Sequence, residues 1–119
     1  MKSLKDSLNN SAIKKLHVIV HEYGVHGTTP EEKIRERRAK REISRIKRKE
    51  NYLIIGEYND ISRVHPKMPP RSPNLKVLIS GAYKKLCCMV HLGTLWKLGY
   101  NAEYNEKGCY DSHDIHDDG

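Results

Sequence analysis

The side chains that could do chemistry fall into two groups, thiols with imidazoles and a dense run of cations. Cys87 and Cys88 are adjacent, and Cys109 opens the run Cys109-Tyr110-Asp111-Ser112-His113-Asp114-Ile115-His116. A thiolate is both a nucleophile and a metal ligand. Cys109, His113 and His116 form a C-x3-H-x2-H cluster that could take a transition metal, zinc above all, and His17, His21 and His26 could add ligands. The competing reading of this stretch is a solvated acidic terminus without metal, and no other cofactor is expected. Cys87 and Cys88 would point about 100° apart on a helix, so they are not a chelating pair. Three cysteines, an odd count, suit free thiols in a reducing, cytoplasmic compartment.

The cations are unevenly spread. Residues 31–50 hold ten of the 22 Lys and Arg against five Glu, a local net of +5. Residues 111–119 hold four Asp and no Lys or Arg, a local net of −4. The formal +7 on 119 residues is therefore a dipolar layout rather than a uniform coat. Arg35, Arg37, Arg38, Lys40, Arg41, Arg45 and Arg48 are the residues expected to meet a partner, either a nucleic acid or an acidic protein surface. The alternative is a solvated helix stabilised by its own ion pairs. The tail could also fold over the basic run and mask it, with His113 and His116 making that contact sensitive to pH.

These groups need elements to position them. The basic run reads as a helix over 30–49. Thr29 is its N-cap, Pro30 falls at N1, and Glu32 at N3 completes a capping box. Glu31 and Glu32 suit the positive end of the helix dipole, and Lys47, Arg48 and Lys49 the negative end. Ala39, Ile43 and Ile46 form a thin apolar stripe, which puts this helix on a surface. Apolar, β-branched runs predict strands at 16–20, 52–56 and 75–80, with a short fourth at 101–105. Residues 57–75 carry four Pro and read as an extended loop. A second helix is expected over about 83–98, with Gly99 as its C′ residue. It is apolar nearly all round, with Ala82, Leu86, Met89, Gly93 and Trp96 on the face expected to pack inward.

The order β-α-β-β-α-β predicts a small layered α/β fold with a mostly parallel sheet. Residues 1–15 are read as a polar arm, 16–110 as one α/β domain and 111–119 as an acidic tail. The longest apolar run is about five residues, against about 18 for a membrane span, so no membrane partner is expected. The polar N-terminus shows no secretory signal. Exposed sheet edges would suit a homo-oligomer.

Residues 75–111 resemble the C-terminal part of the isochorismatase-like cysteine hydrolases. The strand LKVLIS runs into Gly81, and Cys87 follows six residues on. Gly99-Tyr100 comes about twelve residues later, then AEY and Lys107-Gly108-Cys109-Tyr110-Asp111. The resemblance implies that Cys87 is a nucleophile at a helix N-terminus, acting on an amide or vinyl-ether bond. Ala82 and Tyr83 would then form the family's strand-to-helix turn. It also implies an Asp near the first strand and a Lys from a later one. Here the first strand ends in His21-Glu22, and the nearest Lys is Lys67 in the Pro-rich loop. The chain is thus a shortened or degenerate version of the pattern. The reading that weighs charge and length together is a small regulatory binding module that meets an acidic partner through the 30–49 helix. A Cys87 hydrolase is the alternative.

Overall fold

The computed structural model describes residues 2–3, 14–21, 25–55, 68–69 and 72–112. The strands are β1 (Lys2–Ser3), β2 (Lys15–Val20), β3 (Asn51–Ile55), β4 (Lys76–Gly81) and β5 (Asn101–Cys109). The helices are α1 (Pro30–Lys49) and α2 (Met89–Lys97), the latter preceded by a π-helical turn at Lys84–Cys88. The strands form one sheet in the order β1-β3-β2-β4-β5, and every neighbouring pair is parallel. The layered α/β architecture expected from the element order is the one observed. No helix among the described residues is long and apolar enough to cross a membrane.

β2 lies in the middle of the sheet, and Leu16, His17, Val18, Ile19 and Val20 are all buried, as a parallel strand covered on both faces requires. Leu16, Val18, Val77, Ile79 and Ala102 face Cys88, Leu92 and Leu95 in the main core. On the opposite face Ile19 packs against Ile43 and Ile46 of α1. A smaller cluster joins Ala39 of α1 to Val25, Ala82 and Tyr110.

α1 keeps the bounds its sequence predicts. Thr29 Oγ accepts the Glu32 N–H at 3.1 Å, and the Glu32 carboxylate accepts the Thr29 N–H at 3.1 Å. Only Ala39, Ile43 and Ile46 are buried, so the helix lies on the surface. At the far end of α2, Gly99 has φ 91° and closes a Schellman motif, with Gly99 N–H to the Trp96 carbonyl and Tyr100 N–H to that of Leu95.

The inward face of α2 differs from expectation. Cys88, His91, Leu92 and Leu95 are buried, while Leu86, Met89 and Trp96 are exposed. A Cβ at Gly93 would meet nothing within 4 Å, so that glycine is not a close-approach residue. A helix apolar on every side offers two stripes, and periodicity alone does not choose between them.

Candidate active site and basic face

The chain leaves β2 toward β3 on one side and later returns to place β4 on the other. The C-terminal ends of β2 and β4 therefore flank a topological switch point, the position where parallel α/β sheets open a crevice. Two backbone features mark these ends. Gly81 has φ 115°, and a Cβ there would stand 1.8 Å from the Val20 carbonyl oxygen, so no other residue fits. His21 has φ 50°, an uncommon conformation for a residue with a side chain. The Ala82–Tyr83 peptide between β4 and the π turn is cis.

The switch point brings two sequence-distant groups together. His21 Nε2 lies 3.1 Å from Cys87 Sγ. Cys87 is partly exposed in the π turn, and Cys88 and Cys109 are buried. The Tyr83 ring meets the His21 ring edge-on, with centroids 6.4 Å apart. Ala82 N–H donates to the Val20 carbonyl and Tyr110 N–H to that of Gly81, which fixes the strand ends relative to each other. The sequence pattern singled out Cys87 but not His21 as its partner. The signal was present: His21 ends the first strand, where the resemblance implies an Asp. Glu22 and Lys67 lie outside the described residues.

The helix start is not an open anion site. Lys84 N–H donates to the Tyr110 carbonyl, Lys85 N–H to Asp111 Oδ1, and the Leu86 and Cys88 N–H groups both to the Tyr83 carbonyl. These four donors are thus not free to hold an oxyanion. What the arrangement offers is a thiol in contact with an imidazole nitrogen.

The neighbouring thiols differ in kind. A hydrogen bond with the Cys109 thiol, together with burial, pushes the Cys88 thiol well above its usual range. Cys109 Sγ itself donates to the Ile79 carbonyl at 3.1 Å. Both are structural thiols. Of the proposed metal ligands, Cys109 is thus turned into the core, while His113 and His116 lie outside the described residues. Among the described residues no group of three or more His, Cys, Asp or Glu is placed to hold a metal ion.

The seven cations of α1 expected to meet a partner separate into two sets. Arg45 is held inward, its Nε 2.7 Å from Glu42 Oε1 and its Nη1 3.5 Å from Glu50 Oε2. Arg38 reaches the Glu106 carbonyl, and Lys40 pairs with Glu36. Arg35, Arg41 and Arg48 make no ion pair among the described residues, and Arg37 contacts only the Lys33 carbonyl. Arg37, Lys40, Arg41, Ser44 and Arg48 line an open hollow of about 510 Å³.

Of the acids of the same segment, Glu36 and Glu42 are half-buried and bonded to other parts of the protein. Burial alone would raise the Glu36 carboxyl, but bonds from Lys40, the Gly27 N–H and His26 outweigh it and bring it down to about 2. Hydrogen bonds from Arg45, and then from Asn105 against opposing burial, bring Glu42 to about 2 as well. Behind them sits His17, 2% exposed, with Glu50 Oε1 3.8 Å away and no hydrogen-bond partner for either ring nitrogen among the described residues. Its burial lowers the imidazole to about 4, against the opposing pull of Glu50.

No family model matches the chain, and no curated protein or solved structure matches it significantly. The class that its own fold and site define is a small, all-parallel α/β protein with a thiol–imidazole pair at its switch point.

Proposed function

We propose that this protein performs cysteine-dependent acyl transfer, with Cys87 as the nucleophile and His21 as its general base. The observation that carries this reading is the 3.1 Å contact between His21 Nε2 and Cys87 Sγ at the switch point. With the imidazole proton on Nδ1, Nε2 takes the thiol proton as Sγ bonds to a carbonyl carbon. His21 then gives that proton to the leaving amine as the C–N bond breaks. Water then loses a proton to His21 as it bonds to the thioester carbonyl carbon, and the C–S bond breaks as His21 returns that proton to Cys87 Sγ, releasing the acid. The substrate class is an amide, in keeping with the resemblance of residues 75–111. An imidazole in place of an Asp serves the same step, since a nucleophilic cysteine needs an adjacent base and not one particular residue type. The left-handed conformation of His21 also supports the reading, because strained backbone collects at active sites.

The test is limited alkylation with iodoacetamide from pH 5 to 9, mapped by peptide mass spectrometry. Cys87 should react faster than a small free thiol at neutral pH, while buried Cys88 and Cys109 serve as internal controls. His21→Ala should slow Cys87 by at least about tenfold, since a positioned base contributes about 10²–10⁴-fold to a full catalytic step. A Cys87 that reacts no faster than the free thiol, or whose rate His21→Ala leaves unchanged, rejects the proposal.

A further inference from the structure

The outward face of α1 is independent of the switch point. On a helix of 3.6 residues per turn, Lys33, Arg37, Lys40, Arg41, Ser44 and Arg48 fall within roughly 100° of arc, opposite Ala39, Ile43 and Ile46. None of the five Glu of residues 31–50 falls in that arc. Glu32 caps the helix, Glu36 holds Gly27 and His26, Glu42 holds Arg45 and Asn105, and Glu50 holds Arg45. The structure builds the pairs Lys40–Glu36, Arg45–Glu42 and Arg45–Glu50, and leaves Arg37, Arg41 and Arg48 outside any ion pair among the described residues. The four acids bond away from the arc except for the Glu36–Lys40 pair at its edge, exposed Glu31 lies off it, and Arg37, Arg41 and Arg48 remain as unpaired cations on it among the described residues.

We propose that this face binds the phosphate backbone of a nucleic acid. Arg37, Arg41, Ser44 and Arg48 follow one another along the axis at steps of about 4.5–6 Å, from a rise of about 1.5 Å per residue. Three guanidiniums and a hydroxyl in a straight line are phosphate-binding chemistry, which positions a backbone without reading its sequence. An acidic protein would need more. Protein interfaces draw their affinity from buried apolar or aromatic anchors, and the stripe from Arg37 to Arg48 has none. The exposed apolar residue of α1, Ile34, stands at its N-terminal margin. The hollow itself is lined by four cations and Ser44.

The test is fluorescence anisotropy with a labelled 20-nucleotide DNA, single-stranded and duplex, and with the matching RNA, from about 50 to 200 mM salt. On duplex DNA the plot of log Kobs against log[salt] should have a slope of about −3 to −4, corresponding to three or four phosphate contacts. The triple variant Arg37→Gln/Arg41→Gln/Arg48→Gln should bind at least about tenfold more weakly, with a slope flatter by roughly 3. Arg35→Gln, exposed but off the stripe, should stay within about threefold of the parent. No binding at low salt, or binding that the triple variant keeps, overturns the proposal. Poly-glutamate held more tightly than DNA overturns it in favour of an acidic polypeptide. Alkylation of Cys87 in the triple variant should equal the parent's, so the outcome is separate from that of the thiol proposal.

Discussion

α1 and α2 begin in opposite ways. α1 starts on a Thr29 hydroxyl, a proline and a Glu32 that reaches back, all within four residues. The turn that leads into α2 has no side-chain cap. Its first N–H groups are instead taken by Tyr110, Asp111 and Tyr83, and Lys84 Nζ is held 2.6 Å from Glu106 of β5. A helix that terminates itself can lie on a surface and present a charged face. A helix started by tertiary contacts is tied to the strand ends, and that is where a thiol can be brought against a residue from another strand.

This contrast can be broken experimentally, beginning where the effect is largest. Gly81→Ala should destabilise the fold by about 4 kcal/mol, because the new Cβ meets the Val20 carbonyl at φ 115°. Chemical denaturation measures it, and a loss under 1 kcal/mol would mean that the launch of α2 is not rigid.

The underside of α1 is tested by acid. His17 titrates at about 4 in the fold against 6.5 when free, so the unfolded chain binds more protons between those values. Its linked contribution is therefore complete above pH 6.5 and declines as pH falls toward 4, by about 3 kcal/mol at most. His17→Leu should remove that part of the acid sensitivity. Glu36 and Glu42, lowered from 4.5 to about 2, lose their contribution only in the lower window between those values. A His17→Leu profile that still falls between pH 6.5 and 4 would assign the loss to another group.

The smallest effects make a matched pair. Thr29→Ala removes the α1 cap and should cost about 1 kcal/mol. Gly93→Ala on the open side of α2 should gain up to about 1 kcal/mol, since its Cβ meets nothing within 4 Å. Thermal melts read both. A destabilising Gly93→Ala, especially one that is concentration-dependent, would place a second copy of the chain on the exposed face that carries Met89 and Trp96.

Much of the fold was legible because its signals are local. The capping box of α1 needs only Thr29 and Glu32, and the run Leu16–Val20 reads as a buried strand without knowledge of its neighbours. Cys87 was legible through its distance from Gly81. The inward face of α2 was not, because Leu86, Met89 and Trp96 are as apolar as Leu92 and Leu95. Which set is buried depends on how the helix is mounted on β4 and β5.

The sequence by itself determined the α/β order, the ends of α1 and the concentration of cations between residues 31 and 50. Each depends on residues within a turn or two of one another. Tertiary structure alone decided the rest. The parallel pairing of β2 with β4 brings His21 to Cys87 across 66 residues, a contact no periodicity encodes. The packing of α1 on the sheet likewise turns Glu36, Glu42 and Glu50 inward, because Gly27, Asn105 and Arg45 offer them hydrogen bonds there. A net charge of +5 thereby becomes an outer face with no acid in it.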